Sequence, residues 1–354
     1  MKTFMLGAIF LCAINAALTL PACAAEQVLQ PGVKMGKVVG GIDTEYPAWF
    51  NNGFLDLRED LAAAKQDGKR LMIMFTMNSC PYCHAMVERN LAQQDIEALL
   101  RSKFDVIAVN MMGDRSLTDV DGKSYSEKSY AEAMKVRFTP TILFMNEQGE
   151  VVLRLNGYLP PPQFKIALNY LMEKSGQLSY RDYVELNAKP APGGKLNAEP
   201  FFLAAPYDLT RHAGSKPLAV FFEQGDCPNC DTLHRKILAD AGTRELLQGF
   251  DAVQLDMWHN TALRLPDGTA SNARQWARQL DVKYAPTLIL FDESGKEIIR
   301  SEAFLKLFHF QTVLDYVLSG SYKQQPNFQR YISQRSEQLR LQGKDVNIWG
   351  MSGE

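Results

Sequence analysis

The chain carries one pattern twice. Phe104-Asp105 recurs as Phe250-Asp251, Asn110-Met111 as Asp256-Met257, and Asp121-Gly122 as Asp267-Gly268. Val136 recurs as Val282, Thr139-Pro140-Thr141 as Ala285-Pro286-Thr287, and Gly149 as Gly295, all 146 residues apart. Cys80-Pro81-Tyr82-Cys83 recurs as Cys227-Pro228-Asn229-Cys230 at 147, so one residue is lost between Cys230 and Phe250. A register held over so many positions is duplication, and it requires two tandem units with the same fold.

Within each unit the elements alternate. Phe54, Leu57 and Leu61 recur at helical spacing, with a helix ending near Gly68. The apolar run Leu71–Phe75 is a buried strand, and the segment from Pro81 to Leu91 is a helix with proline where a first turn tolerates it. Asp95 is placed to cap a helix over 96–102, and Phe104 to Met111 is a strand. Residues 113–126 are a polar loop, and 129–134 a helix. Thr141–Met145 and Val151–Leu155 form a hairpin, and 162–174 a closing helix with Phe164, Ala167, Leu168 and Leu171 on one face. This order predicts an α/β fold: a central mixed β-sheet flanked by helices, made twice. The expected boundaries are a signal peptide at 1–24, a leader at 25–46, domains at 47–187 and 199–320, a linker at 188–198 and a polar helical tail at 321–354.

The cysteines carry the chemistry. Each pair follows a buried strand (Leu71–Phe75, Leu218–Phe222) and opens a helix. Cys80 and Cys227 are therefore expected partly exposed at helix N-termini, where unpaired N–H groups and the dipole favour thiolate over thiol. Such sites lower a cysteine pKa from about 8.5 to roughly 3.5–7.5. A bridge inside CxxC closes almost no loop and is a poor staple, so reactivity is the better reading. Cys80 and Cys227 are the expected nucleophiles, and Cys83 and Cys230, one turn on, the resolving thiols.

Met1-Lys2-Thr3, an apolar run from Phe4 to Leu20 and Pro21–Ala25 make up the three parts of a secretory signal. Leu20-Pro-Ala-Cys23 also resembles a lipoprotein box, so the membrane enters only if Cys23 is lipidated. With Cys12 and Cys23 in or beside the signal, four of six cysteines remain, and they form the two pairs. A net charge of −2 without a basic block gives no footprint for nucleic acid.

Strand–CPYC–helix followed by Thr139-Pro140-Thr141 and a hairpin resembles the thioredoxin fold. The resemblance implies that Pro140 and Pro286 are cis and lie against the thiol pairs. It also implies that the backbone of Thr139 or Ala285 pairs with an extended substrate segment. Thr139, Pro140, Ala285, Pro286 and Tyr82 are accordingly the expected substrate-binding residues. Trp49-Phe50, the stretch Phe54–Leu61, Gly68-Lys-Arg-Leu71, Phe138–Thr141 and Leu153–Tyr158 narrow the likeness of residues 47–174 to exported SoxW-type thioredoxin-related proteins. That likeness implies periplasmic dithiol–disulfide exchange, with exported disulfide proteins as clients and a membrane thiol transporter as electron donor. No cofactor is implied. One departure stands out. The buried aspartate that thioredoxins carry six positions before the first cysteine is Met74 and Phe221 here. Glu59, Asp60 and Glu223 are the substitutes within reach in sequence.

Three other readings use the same residues. Cys80-Pro-Tyr-Cys83-His84 spells the attachment signature of a c-type haem, but the second copy has Asp231 in place of His84. Two CxxC pairs could bind zinc or copper, which across 144 residues requires the domains to meet thiol to thiol. Or one repeat, the second being more divergent, only recognises clients. Met111, Met112, Met257 and Trp258 at strand ends read as core filler.

Overall fold

The computed structural model describes residues 32–174, 176–187 and 194–351. The expected signal peptide, Cys12, Cys23 and much of the expected linker lie outside the described residues.

Each lobe is a four-stranded mixed sheet. In the first the order is Phe104–Asn110, Arg70–Thr76, Thr141–Met145, Val151–Asn156. The first two strands are parallel and the other pairings antiparallel. The second lobe repeats the order with Asp251–Asp256, Leu218–Glu223, Thr287–Phe291 and Glu297–Ser301, and the same directions. The central strands read as unbroken apolar runs because both their faces are covered. Met72 and Met74 enter one core cluster, whereas Leu71, Ile73 and Phe75 enter another on the opposite face. The closing helix Pro161–Glu173 buries Phe164, Ala167, Leu168 and Leu171, the face the sequence marks.

Four expectations need correction. The first helix, Leu57–Gln66, starts after Phe54, because the Asp56 side chain caps it by accepting from the Glu59 N–H at 3.1 Å; Phe54 is fully exposed. Asp95 does not cap its helix, which begins at Gln94; it sits in the first turn and pairs with Lys165 at 2.6 Å. The polar loop holds a small hairpin, Ser116–Thr118 with Ser124–Ser126, and the second lobe matches it with Ala262–Arg264 and Ala270–Asn272. The tail helix Phe328–Leu341 is not polar all round. Phe328 and Tyr331 are buried, and Phe328 lies 5.3 Å from the Phe138 ring and 5.1 Å from Tyr316.

The lobes meet through counterpart residues. Asn156 donates to Glu302 at 2.7 Å, and a Cβ on Gly157 would stand 2.6 Å from the Ala303 Cβ. These are the same positions of the repeat, so the contact has the form of a twofold interface within one chain. Each lobe's last helix crosses to the other lobe. Tyr180 meets Tyr284, hydroxyl to hydroxyl at 2.8 Å, while Phe328 meets Phe138, the counterpart of Tyr284. Arg181 donates to the Val282 carbonyl, and Gln329 to the Arg137 carbonyl at 2.8 Å. One apolar cluster consequently runs through both lobes.

Outside this pattern lies a short strap. Val346–Asn347 pairs in parallel with Val38–Val39, joining the end of the described chain to its beginning.

Candidate active sites

Each cysteine pair lies at a strand-to-helix turn made the same way. Ser79 and Asp226, the residues before the first cysteines, take left-handed backbone angles, φ 53° and 49°. These turn the chain from the central strand into the helices Pro81–Ala85 and Pro228–Thr232. Both helices continue as a π-helical turn, Met86–Leu91 and Leu233–Leu238. Asp43 of the N-terminal segment braces the first turn, accepting from the Ser79 N–H at 2.9 Å and hydroxyl at 3.0 Å.

Cys80 and Cys83 form a disulfide, as do Cys227 and Cys230, with Cα atoms 5.3 and 5.1 Å apart. The first sulfur of each pair caps its helix. Cys80 Sγ accepts from the Cys83 N–H at 3.0 Å, and Cys227 Sγ from the Cys230 N–H at 3.1 Å. When the disulfide opens, that N–H faces a sulfur able to carry charge, which favours thiolate there. Each Sγ also lies against the residue before a proline. Cys80 Sγ is 3.8 Å from the Thr139 carbonyl oxygen and 3.3 Å from its hydroxyl; Cys227 Sγ is 3.7 Å from the Ala285 carbonyl oxygen. The Thr139–Pro140 and Ala285–Pro286 bonds are cis, as is Ala205–Pro206, which the sequence did not flag. Thus Cys80, Cys83, Thr139 and Pro140 gather at one site, and Cys227, Cys230, Ala285 and Pro286 at the other. His84 is part-exposed in the first helical turn, with both nearby sulfurs bonded to each other.

The sites differ in cover. Cys80 was expected partly exposed, yet only 4% of it is accessible, and Cys227 is at 7%. Segments of the opposite lobe close over both. The first pair faces a mostly apolar cavity of about 100 Å³, walled by Phe304, Leu305 and His309 of the second lobe and by Ile332 and Ile348 of the tail. The second faces a wider cavity of about 260 Å³, walled by Pro160, Pro162, Gln163 and Ile166 of the first lobe and by Trp258. Tyr82 is buried in the wall of the first site rather than free within it. Its hydroxyl accepts from the Lys306 N–H at 2.9 Å, and its ring meets His309 and Trp349 edge-on at 5.3 and 4.9 Å. Burial pushes its phenol well above the ordinary range.

Of the three carboxylates the sequence offered, Glu59 is exposed and Asp60 is tied to Asn51 at 3.1 Å. Only Glu223 is fully buried. It lies 3.1 Å from His234 Nε2 and accepts from Gln254 at 3.2 Å, while His234 Nδ1 lies 3.1 Å from Glu199. Burial alone would pull the His234 pKa down, but the hydrogen bonds and charges of Glu223 and Glu199 outweigh it and raise it. Sequence reasoning missed His234, although its place four residues after Cys230 is one helical turn along. It also missed His309, whose pKa burial lowers to about 4 and for which no local pattern exists. Among the described residues, no cluster of three or more His, Cys, Asp or Glu could hold a metal ion. Likewise, no described helix is long and apolar enough to cross a membrane.

The thioredoxin-like domain family matches the chain twice, at residues 57–172 and 209–318. Several solved structures are similar to parts of it. A thioredoxin-fold protein from Helicobacter pylori is 16% identical over 38% of this chain and 92% of its own, with a TM-score of 0.35. A thioredoxin from Thermus thermophilus is 26% identical over 40% of this chain and 91% of its own, TM-score 0.28. The oxidised C-terminal domain of Neisseria meningitidis DsbD is 15% identical over 32% and 87%, TM-score 0.24. No curated protein matches the chain.

Proposed function

The chain belongs to the thioredoxin-like domain family and is a thiol–disulfide oxidoreductase; from that premise we propose that it works in the periplasm, reducing disulfides of exported client proteins through both cysteine pairs. The observation that carries this reading is the placement of Cys80 and Cys227, each capping a helix and touching the residue before a cis proline.

In the proposed reaction Cys80 thiolate attacks one sulfur of a client disulfide. A mixed disulfide forms and the other client sulfur leaves as thiolate. Cys83 thiolate then attacks Cys80 Sγ, closing the Cys80–Cys83 bond and releasing the second client thiolate. Two electrons and two protons pass to the client, and the protein is left as the structure holds it, oxidised. Cys227 and Cys230 act likewise. The backbone of Thr139 and Ala285 aligns the client segment beside the sulfur. Glu223 and His234 form a buried charged cluster in the second lobe, bonded to Glu199 and Gln254 and not to the cysteines. Regeneration needs electrons from outside, for which a membrane thiol transporter is the fitting donor. The likeness of residues 47–174 to SoxW-type proteins supports the periplasmic assignment and suggests clients among sulfur-oxidation or cytochrome-maturation proteins.

Trapping tests this. A Cys83→Ala, Cys230→Ala protein expressed in a bacterial host should hold exported proteins as mixed disulfides that reductant releases. Absence of such adducts, with no insulin reduction by the wild-type protein, would sink the reductase reading.

A further inference from the structure

The two thiol pairs share a backbone device but not an entrance. We propose that residues 346–351 are a strap that, while closed, admits only small thiols and disulfides to the first site, so that protein clients react there only when it opens and meet the second site more readily. This rests on the exchange activity assigned above and specifies the substrate class of each site.

The strap is fastened at both edges of the first site. Along one edge the Val346 N–H donates to the Lys37 carbonyl at 2.8 Å, and the Ile348 N–H to Val39 at 3.0 Å. Along the other, Trp349 stands edge-on to Tyr82, with the Lys306 ammonium 4.9 Å from the indole centre. Between these edges Ile348 lines the cavity over Cys80, on a wall it shares with His309. Tyr82, the residue between the cysteines, is the anchor for the second lobe and the strap together. At the second site Asn229 replaces Tyr82, and Pro228 is exposed where Pro81 is buried. There, among the described residues, the segment 194–197 packs against Gly225 and bonds to Asp231, but none of it lines the cavity over Cys227.

The fastening is light. Its strand pairing spans two residues a side, and Val38 and Val39 remain 46% and 44% exposed. Two paired residues give a low-stability element, drawn from the part of the energy scale where local opening is common. The strap therefore opens without unfolding the lobe beneath it. A protein thiol must bring its own backbone alongside Thr139, where the closed strap and the second lobe leave about 100 Å³. A small dithiol needs only to reach the sulfur. Its thiolate attacks Cys80 Sγ and expels Cys83 thiolate. Its second thiolate then closes its own disulfide and expels Cys80 thiolate, so two electrons and two protons enter the pair.

The test compares the pairs separately in the full chain: one protein with Cys227→Ser and Cys230→Ser, one with Cys80→Ser and Cys83→Ser. Each is made with and without Ile348→Ala plus Trp349→Ala. Each disulfide is reduced by dithiothreitol and by a reduced thioredoxin. If the strap is open about a tenth of the time, the reaction of pair one with the protein dithiol is slowed about tenfold relative to pair two, and the strap substitutions restore it. Dithiothreitol should reduce both pairs at similar rates, with or without the strap. Pair two in the strap variant reports that the fold survives, because its rates should not change. Equal rates of the two pairs with protein dithiol, or no gain at pair one on loosening the strap, would overturn the proposal and leave the exchange activity standing. Failure of both pairs to react with either reductant would instead remove the exchange activity itself.

Discussion

Glu223→Gln is the substitution whose consequences the structure specifies most closely. Glu223 is wholly inaccessible, and its carboxylate takes bonds from His234 at 3.1 Å and Gln254 at 3.2 Å. Both ring nitrogens of His234 face carboxylates, so the imidazolium, which donates at both, is the form the pocket favours. Removing one partner of a buried ion pair costs about 3–5 kcal/mol when the other charge is stranded. Glutamine keeps the shape and one acceptor, so the His234 bond survives as a neutral one; the loss is the difference between charged and neutral bonds plus one mispaired amide facing Gln254, about 2–3 kcal/mol. The loss depends on pH with a definite sign. The His234 pKa is raised in the folded chain, so its stabilisation is complete below the unfolded value of about 6.5 and fades as pH rises through the folded value. The substitution should cost more at pH 6 than at pH 9. Urea unfolding followed by fluorescence, with Trp258 and Trp276 reporting the second lobe, measures both. A penalty below about 0.5 kcal/mol, or one equal at the two pH values, would refute the charged-cluster argument. The first lobe has no such cluster, since Thr76 and Val87 hold the corresponding positions.

Redox titration of Cys80→Ser and Cys227→Ser proteins should give midpoints separated by more than about 30 mV, which for a two-electron couple is about 1.4 kcal/mol. The apolar wall of Tyr82 and His309 around one pair, and the open cavity at the other, are the cause; coincident midpoints would argue against electron relay between lobes. Phe328→Ala should destabilise the chain by about 3–5 kcal/mol, because it removes a fully buried ring from between Phe138 and Tyr316. A denaturation midpoint that barely moves would mean the tail helix is not part of the shared core. Gly157→Ala should also destabilise, since the new Cβ meets Ala303 at 2.6 Å and the backbone there has φ +86°. Melting temperature reports it, and an unchanged value would contradict the close approach of the lobes.

Local pattern and tertiary contact divide what could be read in advance. Leu71–Phe75 and Leu218–Phe222 announced their strands, observed as Arg70–Thr76 and Leu218–Glu223, because a strand covered on both faces needs apolar residues without a break. The repeat placed the cysteines, the prolines and the hairpins, because each is set by neighbours within a few residues. Cover over the thiols was not readable. Tyr82 and Lys306 are 224 positions apart, and nothing in either neighbourhood marks the pair. The same holds for Phe328, whose helix looks polar because only a narrow stripe of it is buried. Phe54 misled for the opposite reason: its spacing fits a helix, but the Asp56 cap starts that helix at Leu57 and leaves Phe54 outside it.

The duplication explains why the sites resemble each other and the strap explains why they are not equivalent. Counterpart residues, Asn156 with Glu302 and Gly157 with Ala303, meet at the lobe boundary, so each lobe offers the other the same surface. The segments that follow reach over the opposite thiols: Pro160 to Ile166 over Cys227, and Ala303 to His309 over Cys80. A symmetric pair would wall both sulfurs alike. Here the surface differs at one position inside each motif, Tyr82 against Asn229. The tyrosine supplies the hydroxyl and ring that Lys306, His309 and Trp349 hold. Replacing Tyr82 by asparagine should therefore release the strap as effectively as removing Trp349, while the helix-capping bond at Cys80 Sγ, made by backbone, persists. Hydrogen exchange at Val346 and Ile348 measures this release directly; protection unchanged in the Tyr82→Asn protein would show that the asymmetry has another origin.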